Sequence, residues 1–181
     1  MKITKLELEG LLLLEPKYFE DDRGYYCETY SQRTFKKEGI DAIFVQDNHA
    51  LSVKKGTLRG IHFQINPKAQ TKLVRCTRGA LLDIVVDLRK QSPTYKKHIS
   101  IELSEANRRQ LLIPKGFGHA YITLTDNCEF QYKVDEFYEP STEGGIFYND
   151  PELNIDWGTK DIIISQKDAA APLLKNSKAN F

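Results

Sequence analysis

Residues 57–64 read Thr-Leu-Arg-Gly-Ile-His-Phe-Gln, a strand-like run with one histidine inside it. His62 has neighbours that are unusual in a buried strand: Arg59 stands three residues before it and Gln64 two after. An imidazole in this setting can ligate a metal, serve as a general base, or sit in a core with its nitrogens satisfied. Each use makes a further demand. A metal needs more imidazole, carboxylate or thiolate donors. A base needs a group that orients it and a group that stabilises the charge it creates.

The elements that must position His62 are mostly strands. Segments 24–30, 42–54, 57–65, 71–77, 80–88, 97–103, 109–113, 119–125 and 128–135 are short and rich in Val, Ile, Tyr, Phe and Thr. Lys55-Gly56, Arg78-Gly79, Ser92-Pro93 and Pro114-Lys115-Gly116 punctuate them. Many short strands with regular turns predict an all-β sandwich or barrel. Helical signal is sparse: Ser31 can cap a short helix over 31–38, and 105–108 can form one turn.

The chain has 181 residues, within the usual single-domain range of roughly 100–200. One domain over 1–181 is expected, with its end after about 170 loosely packed. Lys and Arg total 26 and Asp and Glu 25, so the net charge is near zero. No long basic run argues for nucleic acid or a membrane surface, although a local basic pocket for a small anion remains compatible. Cys27, Cys76 and Cys128 are widely spaced and odd in number, against a disulfide framework. The apolar run Leu11 to Leu14 is too short for a signal sequence or a membrane span. A soluble, cytoplasmic protein is expected.

Parity adds a question. Along 81–88, Leu82, Ile84, Val86 and Leu88 share an apolar face, opposite Leu81, Asp83, Val85 and Asp87. Along 119–125, Ala120, Ile122 and Leu124 oppose His119, Tyr121, Thr123 and Thr125. The mixed faces are either wet, as in an ordinary antiparallel sheet, or line a polar cavity inside a barrel.

Pro114 to His119 matches the P-x-G-x-x-H signature of the second cupin motif. The first cupin motif usually supplies His-x-His and a later Glu as metal ligands. Here the matching stretch is His62-Phe63-Gln64, followed by Lys72. One histidine is replaced by an amide, and a lysine lies near the place of the Glu. Two histidines do not make a tetrahedral ligand set, and an ammonium repels a dication. The pattern implies a cupin-like cavity whose positive charge is a lysine in place of a metal.

The whole chain, roughly residues 3–170, resembles the dTDP-4-dehydrorhamnose 3,5-epimerases. The blocks that carry this are Phe19 to Gly24 with Glu28, Gln46-Asp47-Asn48, Gly56 to Gln64, Gln70 to Val74, and Pro114 to Tyr121 followed by Tyr132. Asn149-Asp150-Pro151, Ile155-Asp156-Trp157 and Ser165 to Asp168 follow in order. The resemblance implies a cupin-like, double-stranded jelly-roll barrel with a few short helices, a homodimer, and no cofactor. It implies inversion at C3 and C5 of a dTDP-linked 4-keto-6-deoxyhexose, in the pathway to dTDP-L-rhamnose.

That reaction removes a proton beside a ketone and returns one to the opposite face. It needs a base, an opposed acid and a stabiliser for the enolate oxygen. General acid–base help is worth roughly 10²–10⁴-fold, and a preorganised charge on an oxyanion is often worth more. His62 suits the base, because histidine's ordinary pKa of about 6.5 leaves it neutral at pH 7. By resemblance Asp168 orients it, Tyr132 is the acid and Lys72 stabilises the enolate. Arg23 and Arg59 match positions that hold the nucleotide and phosphates, and the guanidinium fork suits phosphate oxygens. Glu28, Gln46, Asp47, Asn48, His119, Glu143 and Lys167 match substrate-contacting positions, and Tyr138 one that stacks on thymine.

One stretch departs from the family. It commonly reads His-Gly-Phe where this chain has His119-Ala120-Tyr121. Tyr for Phe adds a hydroxyl on the face of His119, where it can shift a sugar contact. The alternatives are a mono-epimerase, an epimerase of another nucleotide-linked keto sugar, a 3,4-ketoisomerase, a non-catalytic sugar-nucleotide-binding cupin, and a metal-dependent cupin oxygenase. Retention of Tyr132, His62 and Asp168 favours the 3,5-epimerase, and Gln64 with Lys72 speaks against the oxygenase.

Overall fold

The computed structural model describes residues 1–181. Its strands are β1 (Lys2–Lys5), β2 (Leu12–Glu15), β3 (Tyr18–Asp21), β4 (Gly24–Cys27), β5 (Gln46–Ser52), β6 (Leu58–Gln64) and β7 (Lys72–Arg78). There follow β8 (Ala80–Asp87), β9 (His98–Ser104), β10 (Gln110–Ile113), β11 (Phe117–Thr123), β12 (Cys128–Val134) and β13 (Glu143–Gly145). Two short helices, α1 (Gln32–Lys37) and α2 (Gln166–Ala169), complete the set with two 3₁₀ turns. Six strands pair in the order β1-β2-β10-β7-β12-β5, five in the order β13-β6-β11-β8-β9, and β3 pairs with β4 as a separate hairpin. The pairings between these strands are antiparallel. Two facing antiparallel sheets are the all-β jelly roll expected from the strand spacing.

The parity question has a definite answer. Leu81, Val85 and Tyr121 of the five-stranded sheet pack with Val74, Cys76 and Phe130 of the six-stranded sheet. The mixed faces therefore point between the sheets, and Asp83 and Asp87 are fully buried there. Ile84, Val86, Leu88, Ala120 and Ile122 point the other way, onto Ile146, Leu153, Trp157 and Leu174. Neither face is an open, solvent-covered one: the mixed face looks between the sheets, and the C-terminal segment covers the outer one. The end after 170 is accordingly packed where a loose one was expected: Leu174 is buried, and the Phe181 ring meets Phe63 at 6.0 Å.

On the outside of the six-stranded sheet, Phe35 of α1 packs with Leu14, Leu73 and Leu112. Ser31 caps α1 as its sequence suggests, accepting a hydrogen bond from the Thr34 N–H. Residues 105–107 make the single expected turn, closed by Arg108 N–H on the Ser104 carbonyl. The expected strand over 42–54 is shorter, β5 alone. β1, β2, β3 and β13 had no alternation to betray them. The Leu11–Leu14 run packs on both sides: Leu11 and Leu13 join the inter-sheet core, while Leu12 and Leu14 lie under α1. No helix is long and apolar enough to cross a membrane. All three cysteines are free thiols.

Candidate active site

A cavity of about 560 Å³ opens between the sheets. His62, Arg59, His119 and Tyr121 line it from the five-stranded sheet, and Lys72, Phe130 and Tyr132 from the six-stranded one. Lys167 and Asp168 close one side from α2.

Arg59 and His62 are three residues apart, so a regular strand would turn them to opposite faces. A β-bulge brings them together. Along β11, His119 pairs with His62 and Tyr121 with Arg59, two steps on one strand against three on the other. The extra residue lies at Gly60-Ile61, and a bulge of this kind re-aims side chains. Gly60 carries φ +125°, and a Cβ there would stand 2.5 Å from that of Ala120 and 2.7 Å from the His119 carbonyl oxygen. Only glycine fits this position.

Asp168 Oδ1 lies 2.7 Å from His62 Nε2. Residues 162–164 run beside the start of β6, where the Leu58 and Ile163 N–H groups donate to the Ile163 and Gly56 carbonyls respectively. Ser165 then caps α2, its hydroxyl accepting from the Asp168 N–H at 3.1 Å. The Ser-x-x-Asp spacing is that of a capping box, yet its carboxylate turns inward and is only 6% exposed. The Gly60 N–H donates to Oδ2 at 3.3 Å. Burial works to raise the Asp168 pKa, but the hydrogen bonds to His62, Gly60 and Ser165 outweigh it and hold it below the usual value.

A second pair stands beside the first. His119 Nε2 lies 2.8 Å from Asp83 Oδ2, with both side chains buried. His119 is an expected site residue and Asp83 is not; the sign of Asp83 in the sequence is a carboxylate inside the apolar run Leu81 to Val86. No group of three or more His, Cys, Asp or Glu side chains gathers to hold a metal.

Across the cavity, Lys72 is 9% exposed. Burial brings its pKa down to about 8, with the charges of Asp83 and Glu143 partly restoring it. The ammonium thus persists at pH 7. Tyr132 is half-buried on β12; burial raises its phenol pKa, the Arg59 charge opposes this, and Glu143 and Tyr138 add to it.

Other expected site residues form a linked rim. The Tyr138 hydroxyl lies 3.0 Å from Glu143 Oε2, and Lys167 Nζ lies 2.7 Å from both Glu143 oxygens. The Tyr138 N–H donates to Gln46 Oε1, and Gln46 Nε2 donates to Asn48 Oδ1. Burial opposes ionisation of Glu143, but Lys167 and Tyr138 hold its pKa below the ordinary value. A second hollow of about 270 Å³ joins Glu143 and Lys167 to His62 and Asp168.

Three residues join neither the cavity nor this rim within one chain. Arg23 stands exposed on the β3–β4 hairpin, paired with Asp21 at 2.6 Å. Glu28 accepts from the Thr34 hydroxyl at 2.7 Å, and Asp47 pairs with Lys133 at 2.6 Å.

A family model described as dTDP-4-dehydrorhamnose 3,5-epimerase matches residues 5–176. The enzyme of that name from Salmonella typhimurium is 48% identical over 176 residues, covering 96% of each chain. The crystal structure of the Bacillus anthracis dTDP-4-dehydrorhamnose 3,5-epimerase, with TDP and PPi bound, superposes with a TM-score of 0.93 at 46% identity, covering 95% of this chain and 98% of that one. A dTDP-6-deoxy-D-glucose-3,5-epimerase from Legionella pneumophila, in complex with dTDP-4-keto-L-rhamnose, superposes with a TM-score of 0.92 at 40% identity, covering 97% and 93%.

Proposed function

The chain belongs to the dTDP-4-dehydrorhamnose 3,5-epimerase family, and we propose that it inverts C3 and C5 of dTDP-4-keto-6-deoxy-D-glucose to give dTDP-4-keto-L-rhamnose. One observation carries the reading at the level of residues: His62, on one sheet and backed by Asp168 of α2, faces Tyr132 and Lys72 of the other sheet around a single cavity. A sugar ring held between the sheets presents one face to the imidazole and the other to the phenol.

His62, neutral, takes the proton beside the C4 ketone, and Asp168 fixes its ring and stabilises the imidazolium that forms. The electron pair moves onto the C4 oxygen. The Lys72 ammonium, in a site shielded from water, stabilises that enolate. Tyr132 returns a proton to the opposite face, so the centre inverts. Base, acid and cation all come from the chain, and the reaction calls for no cofactor. Arg59 holds the diphosphate, His119 contacts the sugar, and the Tyr138–Glu143–Lys167 rim with Gln46 and Asn48 takes the thymidine.

Arg23, Glu28 and Asp47 fit this reading in a homodimer. The hairpin that bears Arg23 exposes Phe19, Tyr25 and Tyr26, a surface apolar enough for a second copy to cover. Sedimentation should then give a dimer mass.

The test of the reaction is proton NMR of dTDP-4-keto-6-deoxyglucose with the purified protein in deuterated water. Deuterium entering both C3 and C5, with inversion, is expected. Exchange at one carbon only would make it a mono-epimerase, and binding without exchange a non-catalytic module.

A further inference from the structure

With Ala120, Tyr121 marks where this chain departs from the resemblance, and its hydroxyl is a buried polar atom on the cavity wall with no hydrogen bond inside the chain. The residue is 4% exposed and lines the cavity. Its ring lies 4.4 Å from that of Phe130, centroid to centroid. The hydroxyl has no hydrogen-bond partner. Ser52 is the hydroxyl nearest in influence on the phenol, but its Oγ accepts from Arg59 Nε at 3.3 Å and makes no bond of hydrogen-bond length to Tyr121; Arg59 also donates to the Leu51 carbonyl, and His119 is held by Asp83. Buried polar atoms are nearly always satisfied, and an exception asks for a partner from outside the chain. A phenylalanine would fill the same space with no such demand.

The surroundings say what that partner is. Tyr121 stands directly opposite Arg59 in the β11–β6 register, one pair beyond His119 and His62. Burial pushes the phenol pKa up to about 12, so the group remains an O–H donor at neutral pH. A neutral donor beside a guanidinium makes a site for an anionic oxygen. We propose that the Tyr121 hydroxyl donates a hydrogen bond to a phosphate oxygen of the bound sugar nucleotide, beside Arg59. The inference rests on the sugar-nucleotide reading of the cavity.

Tyr121→Phe tests it, because the substitution keeps the ring. Calorimetry with dTDP and with the keto-sugar nucleotide, thermal melts and steady-state kinetics are compared with the wild type. The free variant should melt no lower than the wild type, since it loses an unpartnered hydroxyl. Its affinity for dTDP should fall roughly tenfold, as for a lost bond to a charged group. KM should rise with kcat nearly unchanged, the pattern for a contact made equally before and in the transition state. Three results would overturn the proposal: dTDP affinity equal to that of the wild type; a loss confined to the sugar nucleotide, which puts the hydroxyl on the sugar; or a lower melting temperature with unaltered binding, which gives it an internal partner. Wild-type protein that bound no dTDP would bring down the functional reading as well, and so is distinguishable from these.

Discussion

Asp168 Oδ1 sits 2.7 Å from His62 Nε2, across 106 residues of chain. The contact is held from three directions, by the imidazole, by the Gly60 N–H and by the Ser165 cap. Removing the charge while keeping the shape isolates what the carboxylate does for the ring. Asp168→Asn should fold, and its kcat should fall on the order of 10²-fold or more with KM little altered. Steady-state turnover and a thermal melt read both. Unchanged kcat would reduce Asp168 to a structural partner of Gly60.

His62 faces the cavity with its other ring nitrogen free of any partner in the chain. It is the proposed base for both carbons, although a second histidine–aspartate pair, His119 and Asp83, stands beside it. His62→Ala should abolish deuterium uptake at C3 and at C5 together. Normal uptake at either carbon would show a second base.

Tyr132 stands on the sheet facing His62. Without its hydroxyl, the imidazolium can still return a proton to the face from which it came. Tyr132→Phe should therefore leave deuterium entering recovered starting sugar while the inverted product falls at least tenfold. The readout is the ratio of exchange to inversion by NMR. A wild-type ratio would exclude the phenol as the acid.

Parts of this site were readable from the sequence because they depend on local chemistry. The Pro114-to-His119 signature and the strand pattern imply a cupin-like barrel, and Ser31 announces α1. Arg59 and His62 on one face were not readable, since strand parity separates them and only the bulge at Gly60 joins them. Asp168 in a Ser-Gln-Lys-Asp turn looks like any surface carboxylate, and by sequence it rested on resemblance alone. Its partner lies on β6, 106 residues away, and such long-range pairing leaves no local trace. Likewise nothing local in Ala169 to Phe181 says that it covers the apolar face of β8 and β11.

Lys72 supplies a pH dependence. Its folded-state pKa of about 8 lies below the ordinary lysine value, chiefly because of burial. As pH rises through 8 the ammonium is lost, and kcat/KM should fall toward tenfold per pH unit. Lys72→Arg should move that limb to higher pH, because a guanidinium does not titrate there. Stability runs the other way. Between about pH 8 and 10.5 the unfolded chain binds more protons at this lysine than the folded one does. Lys72 therefore penalises folding most below pH 8, and its contribution improves as pH rises through that window. Lys72→Met should stabilise the free protein at pH 7, by up to a few kcal/mol, while nearly abolishing turnover. A melting temperature lower than the wild type, or an alkaline limb that Arg leaves in place, would contradict this.

Gly60 and Ala120 meet across the β6–β11 pair, and they set how much the bulge tolerates. A Cβ on Gly60 would lie 2.5 Å from that of Ala120 and 2.7 Å from its Cα and from the His119 carbonyl oxygen, at a φ that L-residues rarely adopt. Gly60→Ala should cost about 1–3 kcal/mol in overpacking and a further ~1–2 kcal/mol in backbone strain, measured by denaturant titration. Because Gly60 also donates to Asp168, the shift should pull the carboxylate from His62 and lower kcat beyond what the stability loss explains. Adding Ala120→Gly removes one of the three obstacles and leaves the Cα and the carbonyl. The double variant should recover part of the stability, with less return of kcat. Full additivity of the two changes would mean that the bulge yields elsewhere and that Gly60 and Ala120 are not coupled.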